Sequence, residues 1–296
     1  MVSSVVVTGG NTTTVDLSLN FGIAVQSPIA GATVSDFSVL VTGHVDTSLT
    51  SEVGITVNGY VALQDGDEFS TFVPIDAQTT MLTATLKDTA GNLIAGDAVP
   101  ITSQLPTTPA NLFFVPSPAI TLVSQPVSFT LTSVNPFTQV QLDGNGDGSI
   151  DFTDTGLQGV SVSFAEPGLY FPSVQVTEQD GTVRTATSLI QVVDSTQLDA
   201  AVQSKWTAMK NALRQGDINL ALTHIVLRRR LTYQAMFNAL TIPLANIDQV
   251  LTGITLVDQR AIEAEYEMFV TQGGTQYSYL VLFALDEDGV WRVKFF

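Results

Sequence analysis

Cysteine is absent from this 296-residue chain, so neither a disulfide framework nor a zinc–thiolate centre is available to it. Histidine occurs twice, at positions 44 and 224, which removes the His/Cys spacings of zinc motifs and leaves little for a hydrolytic triad. Basic residues are scarce: 11 Lys and Arg stand against 28 Asp and Glu, for a net charge of -17. A duplex-binding protein neutralises phosphates with Lys and Arg, so no nucleic-acid partner is expected. No apolar run reaches the ~18 residues of a membrane-spanning helix, so direct membrane insertion is not expected either. No Gly-rich phosphate loop opens a helix; Gly9-Gly10 and Gly273-Gly274 read as hairpin turns. What the chain does have is 45% hydrophobic residues, enough to bury cores, and a length that allows two or three domains at roughly 100–200 residues each.

Charge is distributed unevenly. Residues 1–106 carry a net -9 with Lys87 as the one basic residue, residues 107–194 carry -7 with Arg184 alone, and residues 195–296 carry -1. The shift near residue 195 marks a domain boundary, and the first two thirds repel anionic surfaces. Met1 is followed by Val2-Ser3-Ser4, with no basic and apolar leader segments. Many short Thr/Val/Ser runs with few Lys read as an exported β protein. The expectation is therefore the C-terminal portion of a longer secreted or cell-surface protein.

Residues 4–21, SVVVTGGNTTTVDLSLNF, place two strand runs around Gly9-Gly10-Asn11, a hairpin signal. The stretch resembles the last hairpin of carboxypeptidase-regulatory-like sandwiches, which would make residues 1–22 the remnant of an upstream domain; a plain N-terminal hairpin fits equally. Residues 23–106 alternate period-two runs (IAVQSP, FSVLVTGHV, EVGITVNGYVAL, EFSTFVPI, TMLTATLKDT, DAVPITS) with turn signals such as Asn58-Gly59, Asp65-Gly66-Asp67 and Ala90-Gly91-Asn92. Spacing of this kind predicts an antiparallel β-sandwich. The succession SPIAGATVS, VTGHVD, GITVNGYVAL, FSTFVPI, LTATLKDTAGN resembles the bacterial immunoglobulin-like module found beside glucodextranase catalytic domains, which implies an accessory, non-catalytic role.

Residues 105–118 hold four prolines and read as a semi-rigid linker with an opening edge strand. Residues 107–194 again show short strand runs. QVQLDGNGDGSIDF, then VSVSFAEPGLYFPSVQVTEQDGTV, then LIQVVD resembles a polycystic-kidney-disease-like (PKD-like) sandwich, carried by Pro167, Gly168, Tyr170, Val174, Val176, Thr177, Asp180 and Gly181. Leu142 stands where that family has tryptophan. The likeness implies a spacer or a module contacting protein or carbohydrate.

From residue 195 the period changes. Leu198, Val202, Trp206, Met209 and Leu213 recur at helical steps, with Ser195 or Thr196 as the expected cap and Gly216 as the stop. Asp217 is expected to cap a second helix with Ile218, Leu222 and Ile225 as its stripe, and Thr232 a third carrying Tyr233, Phe237 and Leu240. Residues 253–296 read as four strands. Helices followed by an antiparallel sheet make an α+β pattern. WTAMKNALRQGD and YLVLFALDEDGVWRVKFF resemble the opening helix pair and closing hairpin of nuclear-transport-factor-two-like (SnoaL-type) cone folds, with one strand between the helices missing. The expected fold class is thus multidomain: two antiparallel Ig-like β-sandwiches followed by an α+β cone-like domain at 195–296.

The sharpest chemical motif is Asp143-Gly144-Asn145-Gly146-Asp147-Gly148-Ser149-Ile150-Asp151-Phe152-Thr153-Asp154. Ca2+ takes 6–8 oxygen ligands, and Asp143, Asn145, Asp147, the Ser149 carbonyl, Asp151 and Asp154 offer them at alternating positions. A structural calcium ion that stiffens the loop is one reading. A solvated Asp/Gly hairpin held by Asx turns is the other. His44 sits in an alternating strand, where a structural role is expected. His224 is placed to face a cone cavity beside Tyr233 or Glu265, or to be a partly buried helix residue. Arg228-Arg229-Arg230 complements a helix C-terminus and can reach the acidic modules, or forms a solvated face. Phe113, Phe114, Tyr60 and Tyr170 are candidates for a sugar platform or for cores. No catalytic constellation emerges. The expectation is a non-enzymatic stalk and interaction platform whose partners are extracellular proteins or glycans. The rivals are a carbohydrate-binding accessory region and a small-molecule-binding or enzymatic last domain.

Overall fold

The computed structural model describes residues 22–46, 52–106, 112–240, 243–260 and 262–296. The hairpin expected over residues 4–21 lies outside them.

The first module contains β1 (Ile23–Ser27), β2 (Ala32–Val34), β3 (Ser38–Val45), β4 (Gly54–Val57), β5 (Tyr60–Val61), β6 (Leu63–Asp65), β7 (Glu68–Pro74), β8 (Met81–Lys87) and β9 (Leu93–Ser103). One sheet has the order β1-β3-β7-β6 and the other β2-β9-β8-β4-β5. Alternation decides which side chains meet: in MLTATLK, Leu82, Ala84 and Leu86 are buried and their neighbours are not. They pack against Val41, Phe69 and Val73 of the facing sheet, closing a sandwich. Gly43 is required where it stands, because a Cβ there would collide with the Phe69 ring and the Ala24 carbonyl.

The second module contains β10 (Leu112–Ser117), β11 (Ile120–Leu122), β12 (Pro126–Ser133), β13 (Phe137–Asp143), β14 (Phe152–Asp154), β15 (Ser161–Ser163), β16 (Gly168–Tyr170), β17 (Ser173–Glu178), β18 (Val183–Thr187) and β19 (Ile190–Val193). Its sheets run β14-β13-β17-β18, β10-β12-β15 and β11-β19-β16 around a core of Phe114, Phe129, Val140, Leu142, Val174, Val176 and Ile190. Leu142, at the tryptophan position, is fully buried there. Both modules open alike: β1 and β10 pair antiparallel with the third strand of their module, and β2 and β11 then pair parallel with its last strand. The sequence reading missed β2, which follows directly on the Pro28-Ile29-Ala30-Gly31 turn.

The third module contains α1 (Ser195–Arg214), α2 (Ile218–Thr223), α3 (Arg230–Ala239), β20 (Ile254–Arg260), β21 (Glu263–Gln272), β22 (Thr275–Leu285) and β23 (Trp291–Phe295). The strands form one antiparallel sheet in sequence order. The α1 stripe Leu198, Val202, Trp206, Met209 and Leu213 is buried against Tyr266, Met268, Val281 and Phe283 of the sheet. The N-cap is Asp194, whose carboxylate accepts from the Gln197 N–H at 2.9 Å, one residue before the expected Ser195 or Thr196. Gly216, at φ 74°, ends the helix, and Asp217 caps α2 as expected. The second helix stops at Thr223, so Ile225 belongs to a single parallel bridge with Val293. The third helix begins two residues before Thr232, which therefore caps nothing. Lys210 and Arg214 of α1 tie Asp248, in the turn of 3-10 helix Leu244–Gln249, to the helix. Their hydrogen bonds hold the Asp248 carboxyl well below its ordinary range.

Candidate functional site at the module junction

The Asp143–Asp154 segment is a hairpin between β13 and β14. Asp143 is buried, with one carboxylate oxygen accepting from the N–H groups of Gly146 (2.7 Å) and Asp147 (3.2 Å) and the other from Gly148 (2.8 Å). Asn145 and Asp147 bond each other, and Asp147 also accepts from the Ser149 N–H at 2.7 Å. Those bonds, the one from Asn145 first, lower the Asp147 pKa. Asp151 accepts from the Gly144 N–H, and Asp154, on β14, accepts from its neighbour Thr155. No three of these carboxylates bring oxygens within 4.8 Å of one another. The carboxylates thus accept from the loop's own backbone N–H groups, the bonding pattern of Asx turns.

A buried charged constellation lies elsewhere, where the closing hairpin of the third module meets the first. Arg292, on β23, is 1% exposed. Its guanidinium donates to Asp288 through two nitrogens (2.6 and 2.8 Å) and to Asp286 at 2.8 Å. It also donates to the Thr223 carbonyl at the end of α2 and, at 2.8 Å, to the Thr89 carbonyl in the β8–β9 turn of the first module. Burial opposes the arginine's charge, but Asp288 and Asp286 outweigh it and its pKa rises. Arg230 crosses the same boundary, donating to the Ala90 carbonyl at 2.8 Å. Lys205 of α1 pairs with Glu52, which also accepts from the Trp291 N–H. Gly54 completes the fit: a Cβ there would collide with the Asp288 carbonyl. The basic cluster is thus divided. Arg230 reaches the first module through backbone carbonyls, while Arg228 pairs with Glu287 in solvent.

His224 belongs to this boundary. It caps the C-terminus of α2, and its imidazole lies in the field of Lys205, Arg292 and Arg230. Burial first, then those cations, press its pKa down to about 4. The expected neighbours Tyr233 and Glu265 are not among the groups acting on it. Tyr233 is buried in the apolar core, its hydroxyl accepting from the Phe296 N–H. Trp206, Met209, Tyr266 and Phe283 occupy the space between α1 and the sheet. The Tyr266 hydroxyl donates to Asp199, and burial and that bond raise its pKa.

A cavity of about 320 Å³ lies where all three modules meet, lined by Gln64 and Asp65 of the first, Gln191 of the second, and Asp194, Gln197 and Trp291 of the third. Its polar groups are largely engaged: Gln191 donates to the Gln64 carbonyl at 2.6 Å, and Asp194 caps α1. The candidate platform aromatics do not share a surface. Phe114 is buried and stacks on Phe129 at 5.0 Å, and Tyr170 packs on Phe164. Phe113 and Tyr60 are exposed on different modules.

No protein-family model and no curated protein matches the chain. Among solved structures, the fibronectin(III)-like modules of Clostridium thermocellum CbhA align with 13% identity over 58% of this chain and 93% of that one, at a TM-score of 0.23. The D00-D0 domain of intimin aligns with 14% identity over 58% and 100%, at 0.23. Dimeric latent PorU from Porphyromonas gingivalis aligns with 12% identity over 60% and 20%, at 0.30. Likeness at this level assigns nothing; the sandwich architecture rests on the strand orders and cores above.

Arg292, Asp286, Asp288 and Thr89 escaped the sequence reading as partners; it took Asp286-Glu287-Asp288-Gly289 for a hairpin turn and VWRVKFF for the strand after it. The signal was present as two acids and an arginine on a closing hairpin, but such hairpins are ordinarily solvated.

Proposed function

We propose that this chain is a non-enzymatic modular region of a large secreted or cell-surface bacterial protein, serving as a rigid spacer and interaction platform for extracellular proteins. The observation that carries this reading is the Arg292 junction. A buried guanidinium shared by two modules holds them at one angle, and fixed geometry is what a platform needs. The first module's likeness to glucodextranase-associated Ig-like modules, and the second's to PKD-like sandwiches, support an accessory role. The tightly filled interior of the third module supports a structural use of a nuclear-transport-factor-two-like (SnoaL-type) fold. The hairpin bonding of Asp143 supports a loop that is stiff without calcium.

Small-angle scattering on the intact chain tests the platform: a single rigid particle is expected, and a profile requiring independent beads overturns it. A glycan array separates this reading from its carbohydrate-binding rival. Binding that disappears in Tyr60→Ala or Phe113→Ala would favour the rival.

A further inference from the structure

We propose that His44, Asp67 and Glu68 form a binding site for one divalent transition-metal ion of the zinc type. Sequence spacing offers no Cys/His zinc motif, but the fold assembles a mixed donor set from two strands and a turn. His44 on β3 and Glu68 on β7 face each other directly in the antiparallel register. Asp67 lies in the β6–β7 turn, which is closed by Gly66 at φ 58° and pinned to β3 by the Val45 N–H donating to the Asp67 carbonyl at 2.7 Å. The His44 Nδ1 is 3.4 Å from the Asp67 Oδ2 and 3.9 Å from the Glu68 Oε1. One ligand atom from each residue lies within 4.8 Å of the other two, and among the described residues this is the one His/Asp/Glu group that does so.

The spacing fits the ion. Tetrahedral zinc with bonds of ~2.0–2.1 Å separates its ligand atoms by about 3.3 Å. The His44–Asp67 distance of 3.4 Å already matches, and the half-exposed Glu68 carboxylate lies farther from Nδ1, at 3.9 Å. An imidazole nitrogen with two carboxylates suits zinc and its neighbours, whereas calcium and magnesium take oxygen. Two carboxylates and a neutral imidazole balance a dication, in a module whose one basic residue, Lys87, lies on the opposite sheet. Three protein ligands leave the fourth position open. Glu68 also lines a cavity of about 340 Å³ with Leu169 and Phe171 of the second module.

The chain's two histidines make the test internal. Zinc chloride is titrated into the intact protein while the imidazole resonances are followed by NMR. The His44 signals are expected to shift with one-to-one stoichiometry and to return with EDTA, while His224 stays unchanged. The Asp67→Asn, Glu68→Gln double variant is expected to weaken zinc binding by ~10-fold or more at unchanged metal-free melting temperature. Equal response of both histidines, no His44 shift at millimolar zinc, an equal effect of calcium, or unaltered affinity in the double variant overturns the assignment. The last outcome would report an imidazole acting alone.

Discussion

Arg292 concentrates the energetics of the chain in one side chain. Its partners Asp286 and Asp288 are themselves nearly inaccessible, so removing the guanidinium strands two carboxylates away from water. Arg292→Ala is expected to cost about 3–5 kcal/mol in urea unfolding. Adding Asp286→Asn and Asp288→Asn to that variant is expected to recover part of the loss, because the cost is mostly uncompensated charge. His224 gives a second test at this scale. Unfolded, it binds a proton below its ordinary value of 6.5; folded, only below about 4. The unfolded chain therefore holds more protons between those limits, and stability falls as the solution is acidified through that window. The loss from pH 7.5 to pH 5 is about 2 kcal/mol, and His224→Gln is expected to flatten that part of the profile. An unchanged slope in the variant would place the acid sensitivity on the carboxylates.

At the scale of elements, hairpins and caps carry the argument. The β13–β14 hairpin is organised by Asp143 as a hub for three backbone N–H groups. Asp143→Ala is expected to cost about 1–2 kcal/mol, since three backbone N–H groups of the exposed loop tip lose their shared acceptor. If the hairpin is complete without an ion, calcium added to EDTA-treated protein leaves the melting temperature unchanged. An upward shift that disappears in an Asp143→Ala, Asp147→Ala variant would restore calcium as the organiser. For α1, Asp194→Ala is expected to cost about 1 kcal/mol, because the cap lies one residue before the reading from sequence. The α1 stripe was legible because helical period is local: the five residues named from spacing are all buried. The start of α3 was not legible, because the helix follows directly on the 3-10 turn Leu227–Arg229 and no side chain caps it.

For the whole molecule, the contact between first and third modules ties those two folding units together. Gly54 is its most sensitive point. Gly54→Val inserts a side chain where the Asp288 carbonyl lies, so the two modules are expected to part while each keeps its own core. Scattering should report a larger radius of gyration with far-UV circular dichroism retained. Loss of all secondary structure would instead mean that the contact is needed for the first module to fold.

Composition and period alone determined the β-rich character, the change to helices at residue 195, many of the turn positions, and the exclusion of disulfides. Each of these depends on residues a few positions apart or on totals over the chain. The tertiary structure alone decided that Arg292 is buried, that His224 lies among cations, and that His44 meets two carboxylates across a strand pair. Those outcomes depend on partners up to 203 residues distant, and sequence spacing carries no measure of which distant backbone carbonyl or carboxylate will close over a given side chain.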